Sequence, residues 1–138
     1  MKSYYAKKWF MHTAMSYLST PYLWGGDDPL GFDCSGYVVE CLKSAGLMKL
    51  NEDLSSQGLF EKFSDKIISK PKKGTLLFVF KYNRAAHVAV CLDKYYQISA
   101  LGGGSQTDSV EASFEQNAFI KIRPISIFKS EIRFVYPF

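Results

Sequence analysis

Two residues have types that could do nucleophilic chemistry together. Cys34 sits in Phe32-Asp33-Cys34-Ser35-Gly36, and His87 in Ala85-Ala86-His87-Val88. A thiolate attacks an amide carbonyl, and an imidazole takes and returns the proton; the reaction is acyl transfer. The chain holds 3 cysteines and 2 histidines, so few other pairings exist. Cys91 lies four residues from His87 on the same expected strand, about 13 Å away. Cys41, seven residues past Cys34, reads as core, because free cysteine packs like a small hydrophobe. His12 falls mid-helix and reads as structural. No CxxC or HxxxH spacing occurs, so no metal is expected. Leu101-Gly-Gly-Gly-Ser-Gln-Thr107 lacks the Lys-Ser/Thr ending of a phosphate loop and reads as a cleft edge; no cofactor is expected.

The elements that position this pair follow from the pattern around it. Apolar residues at helical spacing predict a helix over 3–19, with Ala6, Trp9, Phe10, Thr13, Tyr17 and Leu18 near one face. Pro21 prevents its continuation. Residues 21–33 are rich in Gly, Asp and Pro and read as loop. A second helix fits Cys34 to about Ala45, with Asp33 as N-cap and Gly46 at the left-handed position after it. Its apolar stripe is Val38, Cys41, Leu42 and Ala45. A thiol in its first turn feels the positive end of the helix dipole and unpaired amides, which favour thiolate. A shorter helix is expected around Leu59–Phe63. Strands follow at 75–80, 85–92, 95–100 and 118–125, with a last one in Glu131–Phe138.

The imidazole needs a third group to hold its tautomer. A two-residue turn at Asp93-Lys94 brings the strand 95–100 back beside His87. Tyr95, Gln97 and Ser99 share one face of that strand, so Ser99 and, one step away, Gln97 are the candidates.

The chain of 138 residues reads as one domain, 1–138, helices first and then an antiparallel meander, which is α+β. Net charge is +4, and the densest basic cluster is Lys70, Lys72 and Lys73. Such a cluster is a solvated loop or attracts an anionic polymer. No nucleic-acid motif appears, so nucleic acid is not an expected partner. No apolar run approaches the roughly 20 residues that span a bilayer. Lys7 and Lys8 interrupt the N-terminal apolar stretch, and no export signal is read there. The product is therefore expected in the cytoplasm as synthesised, as a monomer.

The stretches "PYLWGG…GFDCSG" and "HVAVCL…ISA" resemble the NlpC-like cysteine peptidases, papain-like enzymes that cut bacterial cell-wall peptides. The resemblance implies a nucleophile-bearing helix packed on an antiparallel sheet. It implies Cys34 as nucleophile, His87 as base, and Tyr22, Trp24, Asp33 and Ser35 along the substrate cleft. Tyr22 and the Cys34 amide would receive the oxyanion, and Asp33 and Ser35 would grip a free amino end. The implied substrates are peptidoglycan stem peptides or muropeptides, cut between γ-D-glutamate and the diamino acid. Delivery would be by phage lysis or a phage tail, by an injecting apparatus, or within the cell during recycling. The third residue of the family, His, Asn or Gln, falls at Ser99, with Gln97 two residues off. Because a thiolate–imidazolium pair has already moved its proton, it should depend less on that residue. Thr75 stands where relatives carry Asp. A non-catalytic wall-binding or phage structural module, and a papain-like acyltransferase, are the rival readings.

Overall fold

The structure, a computed structural model, describes residues 2–28 and 30–138. Helix α1 spans Lys2–Ser16 and buries Phe10, Met11 and Ala14. The wider apolar face expected for this segment is not what packs. Trp9 is 52% exposed and Leu18 44%. The helix ends at Ser16, so Leu18 lies beyond it, and its covered side carries residues 10, 11 and 14, with Tyr17 packed on the core just after. The loop 21–33, of which Pro29 lies outside the described residues, is not wholly irregular. Strands β1 (Asp27–Asp28) and β2 (Gly31–Phe32) pair antiparallel within it.

Helix α2 spans Cys34–Ser44 and begins as its sequence dictates. The Asp33 carboxylate accepts from the Gly36 amide at 2.7 Å, satisfying one of the helix's unpaired donors. Gly46, at φ +75°, takes the left-handed turn after the helix. Tyr37, Val38, Val39, Cys41 and Leu42 are at most 1% exposed. Burying each such side chain contributes roughly 1.5–3 kcal/mol. The Tyr37 hydroxyl donates to the Ala14 carbonyl at 2.7 Å and fixes α2 against α1. Helix α3 spans Ser56–Lys62; it starts earlier than its apolar centre suggests because Ser55 caps it through the Gly58 amide.

The rest is sheet: β3 (Ile67–Ile68), β4 (Leu76–Lys81), β5 (Arg84–Cys91) and β6 (Tyr96–Leu101), then helix α4 (Val110–Glu115), then β7 (Phe119–Pro124) and β8 (Glu131–Val135). Helix α4 was not expected; Ser109 caps it by accepting from the Ala112 amide. Strands β3 to β8 form one antiparallel sheet in the order β3-β8-β4-β5-β6-β7. One face, with Phe78, Val88, Val90, Ile98 and Ile120, joins the core that includes α1 and α2. The other carries Leu77, Val79, Ala89 and Cys91 under Ile125 and Phe128. This is the expected α+β arrangement, a cysteine-bearing helix packed on an antiparallel sheet. Thr75, fully buried, accepts from the Lys72 amide at 3.0 Å and so holds the lysine-rich turn.

Candidate active site

Three local features of the strands place the imidazole. Tyr82 and Asn83, both with positive φ, turn β4 into β5 as a tight hairpin. The β4–β5 register then slips: Val79 pairs with His87 but Phe80 with Ala85. Ala86 is the extra residue of this bulge, and bulges re-aim neighbouring side chains. The Ala85 amide is held by the Gln57 side-chain oxygen at 2.7 Å, so α3 braces the bulge.

The third feature is a parting of strands. The β5–β6 ladder pairs Val90 with Ile98 and Cys91 with Gln97, and goes no further toward His87. The Val88 amide, near the end of this ladder, is among the dipoles that act to lower the Cys34 thiol. Cys34 and His87 both line the cavity left by this parting, of about 440 Å³, with Tyr22, Trp24, Ala100 to Gly104 and Phe128. A larger depression of about 950 Å³ runs along α1 and contains neither residue.

The turn between β5 and β6 is one residue longer than expected. The Leu92 amide bonds the Tyr96 carbonyl at 2.8 Å, and Asp93 caps the Tyr95 and Tyr96 amides. One residue of register flips a strand's faces. The observed register puts Gln97 and Ser99 on His87's side of the sheet, where a two-residue turn would have turned Ser99 away.

Both candidates for the third residue lie in one hydrogen-bonded chain from the imidazole. The Ser99 hydroxyl lies 3.1 Å from His87 Nε2 and donates to Gln97 Oε1 at 2.7 Å. A hydroxyl has one hydrogen, and Gln97 takes it. With Gln97 Oε1 turned toward it, Ser99 accepts from Nε2–H and Nδ1 is left as the ring's acceptor, while the buried Gln97 Nε2 has no hydrogen-bond partner among the described residues.

The electrostatics correct one expectation. The helix start was expected to favour thiolate, but burial pushes the Cys34 thiol up, against the opposing pull of Ser56 and the Val88 and Ser35 amides. Burial also lowers His87 from 6.5 to about 4, helped by the charge of Lys81. Both shifts oppose charge on the two groups. The reason is the closeness of the cleft: desolvation outweighs the few dipoles aimed at the sulfur. Burial, followed by the Cys34 and Asp33 charges, pushes Tyr22 up to about 12, so it stays a hydrogen-bond donor.

The other expected residues divide. Tyr22 and Trp24 line the cavity with the cysteine. The Trp24 amide, bonded to the Thr107 carbonyl at 2.7 Å, ties its loop to the 101–107 segment, which is indeed a cleft edge. Asp33 and Ser35 instead line a smaller neighbouring pocket of about 250 Å³ with Asp53 and Ser55. Ser35 donates to Asp33 at 3.3 Å, and the same carboxylate oxygen caps α2. Cys41 is core, and His12 lies on the exposed side of α1 beside Trp9. Ser56, whose hydroxyl is 3.6 Å from the Cys34 sulfur, was not found from sequence, nor were Phe128, Lys81 and Lys129. These meet the site only through the fold. The bulge alone left a trace, in the two small residues before His87.

A thiol at the head of a helix, sharing a cleft with an imidazole on an antiparallel sheet, belongs to the papain-like architecture. Residues 19–124 match the NlpC/P60 family, and the chain belongs to that family. Dipeptidyl-peptidase 6 of Lysinibacillus sphaericus is 33% identical over 98 residues, 71% of this chain and 34% of the relative. This chain thus spans about a third of that protein's length. The NlpC/p60 domain of the peptidoglycan hydrolase SagA is similar at 25% identity and TM-score 0.62, covering 92% of this chain and 96% of that one. RipD of Mycobacterium tuberculosis, a non-catalytic NlpC/p60 domain protein, has the same fold at TM-score 0.66 and 16% identity, with 94% and 95% covered.

Proposed function

We infer that this chain is a cysteine peptidase that hydrolyses an amide bond in bacterial cell-wall stem peptides, between γ-D-glutamate and the diamino acid. The observation that carries it is the Ser99–Gln97 relay on Nε2 of the imidazole that shares a cleft with Cys34. His87 Nδ1 takes the thiol proton as Sγ bonds to the amide carbon. The Tyr22 hydroxyl and the Cys34 amide receive the oxyanion. The C–N bond then breaks and His87 returns the proton to the departing amine. Water, activated by the same nitrogen, releases the acyl group from sulfur. Asp33 and Ser35, beside the nucleophile, take the free amino end of the peptide.

The test is incubation of defined tripeptide and tetrapeptide stems with wild type and with Cys34→Ala, read by mass spectrometry. Cleavage between the γ-glutamyl and diamino residues, lost in the variant, is the expected result; no products from wild type would end this reading. The raised thiol pKa supports a second reading, a wall-binding module without turnover, as RipD is described. Iodoacetamide separates the two. A nucleophile reacts far faster at Cys34 than at buried Cys41 or Cys91, whereas equally slow labelling of all three favours the binding module. An acyltransferase would instead yield an amide or ester of the acyl fragment when an amine or alcohol is added.

A further inference from the structure

Two lysines line the cleft. Among the described residues Lys81 and Lys129 line it and no Asp or Glu does, although the Asp33 charge reaches Cys34 from the neighbouring pocket. Lys81 ends β4, close enough to His87 for its charge to be felt by the imidazole. Lys129 follows Phe128, whose ring meets the His87 ring at 5.4 Å between centroids. Among the described residues the ion pairs join Lys62 to Glu52 and Arg133 to Glu131, so neither cleft lysine is neutralised by one. Glu131, the acid nearest Lys129 in the chain, is held by Arg133 at 2.6 Å. Two exposed lysines thus line a cavity whose other lining is mostly aromatic, aliphatic and glycine.

Their place gives them a direction. Both stand with His87 on the wall built from β4, β5 and the β7–β8 connection. His87 hands its proton to the departing amine, so the residue that owns that amine must lie along this wall. We propose that Lys81 and Lys129 select substrates whose leaving residue carries a free carboxylate. This rests on the peptidase reading and narrows it: the leaving side is a chain-terminal residue or one with an acidic side group, and an amidated counterpart is a poor substrate. An exposed ammonium about 5 Å from a carboxylate changes affinity roughly three- to fourfold, and two together about tenfold.

The experiment pairs two peptides, L-Ala-γ-D-Glu-L-Lys with a free terminal carboxylate and the same peptide as its terminal amide. Wild type should cleave the acid with a kcat/KM about tenfold above the amide, and the preference should shrink in 0.5 M salt. The Lys81→Gln/Lys129→Gln double variant, checked for folding by its melting curve, should bring the ratio near one. A second measurement needs no turnover: the rates at which iodoacetate and iodoacetamide alkylate Cys34, each divided by the rate with N-acetylcysteine. Iodoacetate should be favoured in wild type and lose that advantage in the double variant. Equal cleavage of acid and amide, or a preference that survives the double substitution, overturns the proposal. If neither peptide is cut, the peptidase reading falls and alkylation decides: an iodoacetate advantage lost with the lysines sustains the cationic selection, and an unchanged ratio overturns it.

Discussion

Replacing His87 with glutamine should make the fold far less sensitive to acid. The imidazole titrates at 6.5 when free and at about 4 in the cleft. The unfolded chain therefore binds a proton at this site through a pH range in which the folded protein does not. Stability then rises with pH across that window and is lost as the pH falls below 6.5. With those two values the loss is about 1.4 kcal/mol at pH 5.5 and about 3 kcal/mol at pH 4, relative to neutral pH. Carboxylates titrate over the same range, but in the wild type and His87→Gln alike, so the difference between the two isolates the histidine. The assay is urea unfolding at pH 7.5, 5.5 and 4. At neutral pH the two midpoints set the reference; on acidification wild type should lose about 3 kcal/mol more than the variant. Parallel pH curves would refute a desolvated imidazole. The same shift moves the acid limb of kcat/KM toward pH 4 in place of the ordinary histidine range, because the base must be neutral to act.

Ser99→Ala removes the group that holds Nε2–H, and with burial opposing charge on the imidazole the tautomer matters; kcat should fall at least about tenfold with KM little changed, measured on a stem tripeptide. Gly103→Ala would place a methyl group into the Tyr22 ring. It should cost about 1–3 kcal/mol in urea unfolding and slow turnover by moving the oxyanion donor. Tyr37→Phe leaves the buried Ala14 carbonyl without its hydroxyl partner, and the melting temperature should fall by an amount matching about 1–2 kcal/mol, with kcat nearly unchanged.

Much of the fold was legible because its cues were local. Asp33 before Cys34 and Gly46 after the helix are start and stop signals that need no tertiary context. The β-rich runs at 75–80 and 85–92 were visible for the same reason. What stayed hidden depended on distant partners. Which side of α1 is covered could not be read from apolar residues spread over more than one face, so Trp9 was placed wrongly, and Leu18 lies beyond the helix end at Ser16. Helix α4 is a single short turn whose signal, Ser109, is ordinary in any loop. In the site, Cys34 and His87 stood out by scarcity. The order His87–Ser99–Gln97 did not, because it hangs on one extra residue in the turn after Leu92. The rise of the Cys34 thiol was hidden for a further reason: the dipole at a helix start is written in the sequence, but the burial that outweighs it is made by the whole fold.

If the chain turns over substrate as proposed, the gap between β5 and β6 sets heat resistance against chemistry. Keeping those two strands together past Val90 would add backbone rungs and firm the sheet, and it would close the cavity that Cys34 and His87 line. A variant selected only for endurance has an easy route open to it, closing that seam, and would arrive sturdier and inert. The unzipped stretch is thus a working aperture that selection for turnover must keep from healing.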